Sequence, residues 1–410
     1  MRNGELHEMD GIFDGIRVLE VATWTFVPAA AAVLADFGAD VVKVEHPLRG
    51  DPQRGLSTGG YAPSMAGISI TMEQTNRGKR SVGLDISKPE GRELLLEMAA
   101  RCDVFMTSFL PGNRAKLGID VDDLRAVNPD IIYVRADAVG PEGPESGKPG
   151  YDMSAFWARS GIAHALTEEG AERPTRQRPG FGDKTGAMNL AFGVAAALYR
   201  RATTGTPSEV DVSLLGTALW VNSSDVVYSK AIGGDFSRRE VKVPNPISHV
   251  YRTGDGRWIA LLMLESDRWW APLCRHLGRE DLVGDPRFAG AAQRNANSAE
   301  CVAELAATFE SGTLAEWRER LGPLSAPWEA MQTLPEVLDD PQVTANGYTT
   351  EVKHPSGQDI TLVRAPVRFD GRQPELRPAP EAAAHTEEVL LELGHDWAEI
   401  GRLKESGAIA

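Results

Sequence analysis

The sequence predicts a doubly wound α/β protein with a second, smaller α+β part. Three observations carry this reading. Residues 16–45 form a compact strand–helix–strand unit. Strands go on alternating with helices over the first 140 residues, the pattern of a parallel sheet. At 410 residues the chain exceeds what one core usually serves, so two domains are expected, or one with a large insertion.

Residues 16–22, Ile-Arg-Val-Leu-Glu-Val-Ala, read as the first strand. The alanine-rich segment 28–37 is helical and stops at Gly38, and residues 41–45 form the second strand. Further strands fall at 81–86, 104–108 and 131–136, with an amphipathic helix at 88–101. In such sheets ligands sit beyond the C-terminal strand ends, here residues 24–28, 46–51 and 108–112. Residues 187–201 form a helix of small residues, and a long helical stretch at 211–231 leads into Gly233-Gly234 and a loop. The middle of the chain reads as a hairpin at 248–258 with Thr-Gly-Asp-Gly as its turn. Helices follow at 267–277, at 298–311 with Ser298 as N-cap, and at 314–321. Past Leu334, strands near 349–353 and 360–363 lead to an extended segment with Pro366, Pro374, Pro378 and Pro380. A final helix pair spans 385–405. There is no internal repeat at solenoid periods.

Lys and Arg total 43 against 58 Asp and Glu, a formal charge of −15, which argues against nucleic acid as the main ligand. A local basic cluster can still hold an anionic cofactor. Three widely spaced cysteines (Cys102, Cys274, Cys301) show neither a disulfide framework nor a metal pattern, so reduced thiols in the cytoplasm are expected. Residues 1–10 lack the apolar core of a signal peptide. No apolar run approaches the roughly 18 residues that span a membrane, so no membrane partner is expected.

The most informative segment is Arg-Pro-Gly-Phe-Gly-Asp-Lys-Thr-Gly, residues 178–186. It sets one carboxylate, Asp183, among glycines 180, 182 and 186, which allow a sharp turn and close approach of another molecule. At a helix start the macrodipole and free N–H groups are expected to keep such an acid ionised near neutral pH. A carboxylate so placed can attack an activated acyl group. The plainer alternative is that Asp183 merely caps its helix.

Several ordered blocks decide between these readings. They include Leu34-Ala-Asp-Phe-Gly-Ala-Asp-Val-Val-Lys-Val-Glu45, Gly50-Asp51 with Arg54, and Asn76-Arg-Gly-Lys-Arg-Ser81. Then come Phe109-Leu-Pro-Gly112, Gly150-Tyr-Asp152, Gly182-Asp-Lys-Thr-Gly186, Asp285-Pro-Arg-Phe288 and His385-Thr-Glu-Glu388. Together they resemble the class III CoA-transferases, the family of formyl-CoA transferase and the carnitine CoA-transferases, which also holds the α-methylacyl-CoA racemases. The likeness covers nearly the whole chain. It implies a Rossmann-like large domain built from both chain ends, residues 1–225 with 335–410, and a small domain at 226–334. It also implies an intertwined homodimer, CoA as (co)substrate, and the aspartate matching Asp183 as nucleophile. No cluster with metal-ligand spacing occurs, and no metal is expected.

Holding CoA calls for cations at its phosphates. Asn76-Arg-Gly-Lys-Arg can be a solvated basic loop, but it matches the family's CoA-contact region, which makes Arg77, Lys79 and Arg80 the expected phosphate or adenosine contacts. Lys116 falls where relatives carry an arginine, keeping the charge but not the bidentate fork. His46 occupies a position basic in the formyl-CoA enzyme. Trp24, Thr25 and Phe26 match residues lining the pantetheine and acyl channel, with plain core packing as the alternative for both aromatics. Ser108 and Phe109 complete the expected binding set at the end of their strand.

Tyr151 and Asp152 separate the two branches of the family. The racemases carry Gly-His-Asp here, with the histidine as an acid/base group on the α-carbon. A tyrosine, with a solution pKa of about 10, is a poor base at neutral pH. The reading is therefore an acyl-CoA:carboxylate CoA-transferase, its substrates an acyl-CoA and a carboxylic acid acceptor. The alternative is a racemase or isomerase in which Asp183 moves the α-proton. A CoA-binding protein without turnover stands third. The polyglycine run of formyl-CoA transferase is missing after Gly233-Gly234, so the pocket cover differs and its substrates do not carry over.

Overall fold

The structure is a computed structural model and describes residues 11–56, 59, 65, 67–238 and 243–410. Residues 1–10, on which the expectation of no signal peptide rests, lie outside the described residues. So do residues 239–242 of the loop after Gly233-Gly234. Two compact units emerge: residues up to Ser237 together with Asn346–Ala410, and Arg238–Ala345. Both boundaries fall later than 225/226 and 334/335.

The larger unit is built on β1 (Arg17–Val21), α1 (Phe26–Asp36), β2 (Asp40–Glu45), α2 (Ile70–Asn76), β3 (Arg80–Gly83), α3 (Pro89–Ala99) and β4 (Val104–Thr107). It continues through α4 (Pro111–Leu117), α5 (Val121–Val127), β5 (Ile132–Asp137), α6 (Ile162–Ala165), α7 (Phe181–Thr204), β6 (Glu209–Ser213), α8 (Leu214–Val221) and α9 (Ser223–Ile232). The strands form one six-stranded sheet in the order β3-β2-β1-β4-β5-β6, with every pair parallel. That is the doubly wound order, and its switch point lies between β1 and β4.

Strand residues alternate between two apolar layers, as the pleat requires. Val18, Val104, Met106 and Val134 face the alanines of α1 and Leu190 and Val194 of α7. Leu19, Val21, Phe105 and Tyr133 face Leu94 and Leu95 of α3. Two sequence expectations change here. The stretch 211–231 is not one helix: Glu-Val-Asp-Val-Ser forms the sixth strand, and Ser213 then caps α8 by accepting from the Gly216 N–H at 3.0 Å. The helix expected from 187 begins at Phe181, so Asp183 lies inside its first turn.

The smaller unit holds β7 (Val250–Arg252), β8 (Trp258–Leu261), α10 (Ser266–Leu277), α11 (Ala291–Ala296), α12 (Ser298–Glu310), α13 (Leu314–Leu321) and β9 (Trp328–Ala330). Helices α14 (Leu334–Leu338) and α15 (Pro341–Ala345) end it. Its antiparallel sheet, β7-β8-β9, packs on a core that includes Tyr251, Ile259, Trp270, Phe309 and Trp317.

The chain then re-enters the larger unit through the hairpin β10 (Thr349–Lys353) and β11 (Asp359–Val363), followed by α16 (Thr386–Leu393) and α17 (Trp397–Glu405). This return covers the β3 edge of the sheet. The Gly83 N–H donates to the Thr386 hydroxyl at 3.0 Å, the His385 N–H to the Ser81 carbonyl at 2.9 Å, and the Ala410 N–H to the Gly83 carbonyl at 3.2 Å. An edge strand that would otherwise offer free backbone groups is thereby satisfied.

Candidate active site

Gly180 starts α7 in the left-handed conformation, φ 81°, which glycine adopts without strain. Two more glycines let the first turn pack closely. A Cβ on Gly182 would lie 2.4 Å from Cγ of Phe156, and one on Gly186 would lie 2.4 Å from Cε2 of Phe26. Phe156 belongs to a π-helical turn, Met153–Ala158, that begins directly after Asp152.

The plainer alternative for Asp183 does not hold. The N-cap is Gly180, whose N–H is taken by Asp152 Oδ2 at 2.8 Å, and Asp183 accepts no hydrogen bond among the described residues. Its carboxyl is half-buried. Burial first, and the neighbouring Asp152 carboxylate second, push its pKa up to about 7, against a smaller opposing pull from Lys184. The expectation of an acid kept ionised near neutral pH is therefore corrected: desolvation and a like charge outweigh the helix dipole. Asp152 is itself buried, and burial raises its pKa although the N–H groups of Gly180, Gly182 and Met153 pull it down.

The segment after β1 approaches this turn. Thr25 Cγ2 lies 3.9 Å from where a Cβ on Gly180 would stand. The rings of Trp24 and Tyr151 meet edge to face with centroids 5.7 Å apart. Trp24 is one of three non-glycine residues with positive φ among those described, at 69°. Its N–H donates to Asp51 Oδ1 at 3.1 Å, while the Thr23 N–H donates to the Ser108 hydroxyl at 3.2 Å. Phe26 points the other way, into the core against Gly186. Phe181, the first residue of α7, is exposed.

Beyond the ends of β1 to β4 lies a cavity of about 470 Å³ at the switch point. Thr23, His46, Arg49, Asp51, Asp85 and Phe109 are among its lining residues, so the strand-end expectation brings His46 and Phe109 together. Ser108 adjoins it through Thr23. Lys116 is exposed on α4, next to the lining residue Leu117. Thr23 and Asp51 are common to this cavity and to the Trp24 turn, which joins the cavity to the Asp183 region.

Residues 13–386 match the family described as CoA-transferase family III. The chain belongs to CoA-transferase family III. It is 30% identical to (R)-2-hydroxy-4-methylpentanoate CoA-transferase of Clostridioides difficile over 97% of its own length and 99% of that protein's. It is 32% identical to cinnamoyl-CoA:phenyllactate CoA-transferase of Clostridium sporogenes over 96% of each. Among solved structures, a CAIB/BAIF family protein from Brucella suis superposes with a TM-score of 0.81 at 28% identity, covering 94% of this chain and 100% of that one. The enzyme is an acyl-CoA:carboxylate CoA-transferase, with CoA as a substrate.

The basic run of the transferase is placed differently from the expected phosphate grip. Arg77 is buried and held by Asp36 at 2.6 Å. Lys79 is fully enclosed by Glu20 (2.6 Å), the Pro28 carbonyl (2.8 Å) and Asn76 Oδ1 (2.8 Å), and burial pushes its pKa down to about 8. Arg80 bridges Asp40 at 2.7 Å and Glu392 at 2.9 Å. Arg77 and Lys79 thus present no free face to an anion, because each charge is neutralised by a carboxylate distant in sequence. The cation that sequence reasoning missed is Arg49, exposed at the cavity and free of any ion pair among the described residues. Its signal was its place in the loop after β2, where the strand-end rule already pointed. No helix of the described residues is long and apolar enough to cross a membrane.

Proposed function

We propose that the transferase works through Asp183 as a covalent nucleophile. The carrying observation is a carboxylate in the first turn of α7 that caps nothing and accepts no hydrogen bond among the described residues, its pKa raised by burial and Asp152. A more basic carboxylate is a stronger nucleophile once ionised. Asp183 attacks the thioester carbonyl of the donor and expels CoA thiolate, leaving an acyl-aspartyl anhydride. The thiolate then attacks the aspartyl carbonyl and expels the donor acid, giving an aspartyl-CoA thioester. The acceptor carboxylate attacks that thioester and expels the thiolate, which takes the new acyl group and frees Asp183. Each step exchanges one acyl bond for another, so no external energy source is required.

His46 and Arg49 at the strand-end cavity, with Lys116 beside it, offer basic groups suited to the phosphates of CoA, and Phe109 with the adjoining Ser108 leads towards Trp24. The pantetheine arm would then pass Thr23 and Thr25 to reach Asp183, with Tyr151 and Asp152 on the far side. The Trp24–Tyr151 pair favours an apolar or aryl acyl group, in keeping with relatives named for 4-methylpentanoate and phenyllactate. The larger unit is read as the CoA-binding domain. Exposed Phe192, Tyr199, Trp220 and Tyr228 on α7, α8 and α9 support a homodimer, since a lone chain gains nothing by wetting four aromatic rings. Free cysteines support a reducing, cytoplasmic setting.

Intact-protein mass spectrometry after brief mixing with acyl-CoAs tests the mechanism. The expected result is a hydroxylamine-sensitive gain of one CoA, mapped to Asp183 and missing from Asp183→Ala. Deuterium uptake at the substrate α-carbon without any adduct would instead establish proton transfer.

A further inference from the structure

Three consecutive residues of the turn after β1 are each pinned by a side chain from another element. The Ser108 hydroxyl accepts from the Thr23 N–H (3.2 Å) and Asp51 Oδ1 accepts from the Trp24 N–H (3.1 Å). The Thr25 hydroxyl donates to Gln53 Oε1 (3.3 Å). The middle pin restrains a conformation the residue resists. A bulky side chain at φ 69° crowds its own backbone, a strain that persists only where surroundings impose it.

Asp51 is unusually well anchored for this task. Its backbone N–H donates to Glu45 Oε2 at 2.8 Å, and Oδ1 also accepts from the Gln53 N–H at 2.9 Å. Oδ2 is ion-paired with Lys43 Nζ at 2.9 Å. Lys43 is paired in turn with Glu20 at 2.8 Å, and Glu20 with Lys79 at 2.6 Å, all with side chains fully buried. Two acids and two bases thus form a neutral chain beneath the sheet ends, and its last carboxylate grips the Trp24 peptide. An amide in its place would keep one acceptor oxygen but lose the Lys43 pair that fixes its direction, so the Trp24 N–H would be held less firmly. A buried ion pair adds restraint on where that acceptor sits.

We propose that Asp51 is a positioning residue for acyl-group selection. It holds the Trp24 peptide left-handed, so that the Trp24 ring, braced edge-on by Tyr151, forms a fixed wall beside the Asp183 turn. The proposal rests on the reading of Asp183 as nucleophile. It predicts that Asp51 acts on substrate choice through Trp24, although Asp51 itself belongs to the buried ion chain.

The test measures the rate of CoA-adduct formation at Asp183 from acetyl-CoA and from phenylacetyl-CoA, in wild type, Asp51→Asn, Trp24→Ala and the double variant. The ratio of the two rates should change about tenfold or more in Trp24→Ala, and in the same direction in Asp51→Asn. The double variant should go no further, because the two residues act as one unit. Lys43→Met combined with Asp51→Asn removes both charges of the pair, keeps the buried chain neutral should Asp51→Asn not fold, and should show the same change of ratio. A ratio unchanged in both Asp51 variants, or effects of Asp51 and Trp24 that multiply, overturns the proposal while leaving the nucleophile standing. No adduct from either donor in wild type overturns the nucleophile and this proposal with it.

Discussion

Asp183 shows how a single residue's chemistry follows from its surroundings. An unfolded aspartate titrates at about 3.9, and burial with Asp152 nearby raises the folded group to about 7. The folded state therefore binds this proton more tightly. The stability it contributes is complete below the unfolded pKa and is lost as pH rises through the folded pKa. Asp183→Asn should consequently melt at a higher temperature than wild type at pH 8.5, and the gap should shrink towards pH 4; differential scanning fluorimetry at several pH values checks this. In wild type, the rate of adduct formation should rise about tenfold per pH unit below 7 and level off above it, as the ionised fraction does. A stopped-flow pH profile against one acyl-CoA measures that slope.

Helix α7 shows the same economy at the level of an element. Its glycines at 182, 186 and 193 each stand where a Cβ would collide, with Phe156, Phe26 and Val210 at 2.4, 2.4 and 2.6 Å. Glycine in a helix costs about 0.5–1 kcal/mol relative to alanine, so close packing of α7 outweighs propensity. Gly182→Ala should lose about 1–3 kcal/mol despite its better propensity, because overpacking forces Phe156 or the helix to move. Urea denaturation gives the stability change. The adduct rate should fall with it, since the helix start carries Asp183. These glycines were visible in the sequence as a motif, and so was the carboxylate among them. The role of Asp152 as acceptor for the Gly180 N–H was not, since 28 residues separate donor and acceptor.

For the molecule as a whole, the exposed aromatic rings of α7, α8 and α9 have no role within the single chain. Trp220 is 77% exposed and Phe192 74%. A soluble monomer rarely keeps so many large rings in water on neighbouring helices. Light scattering after gel filtration should give twice the chain mass for wild type. Trp220→Glu with Tyr228→Glu should shift the mass towards one chain, because two carboxylates cannot be desolvated in an apolar interface.

Local patterning reaches a definite limit in this protein. Periodicity and punctuation revealed the parallel sheet, its crossover helices and the strand ends where a ligand would sit, because alternation and turn chemistry are properties of neighbours in the chain. The sixth strand escaped because Glu209–Ser213 runs straight into a capped helix with no break in composition. Charge could not be read the same way. Arg77, Lys79 and Arg80 form a basic run in sequence, yet they find their carboxylates 41, 59 and 312 residues away at Asp36, Glu20 and Glu392. Arg49, an isolated cation in the sequence, lines the cavity with no ion pair among the described residues. Whether a charge is free or neutralised, and whether an acid titrates near 4 or near 7, depends on what the fold brings within a few ångströms, and that distance is not encoded in spacing along the chain.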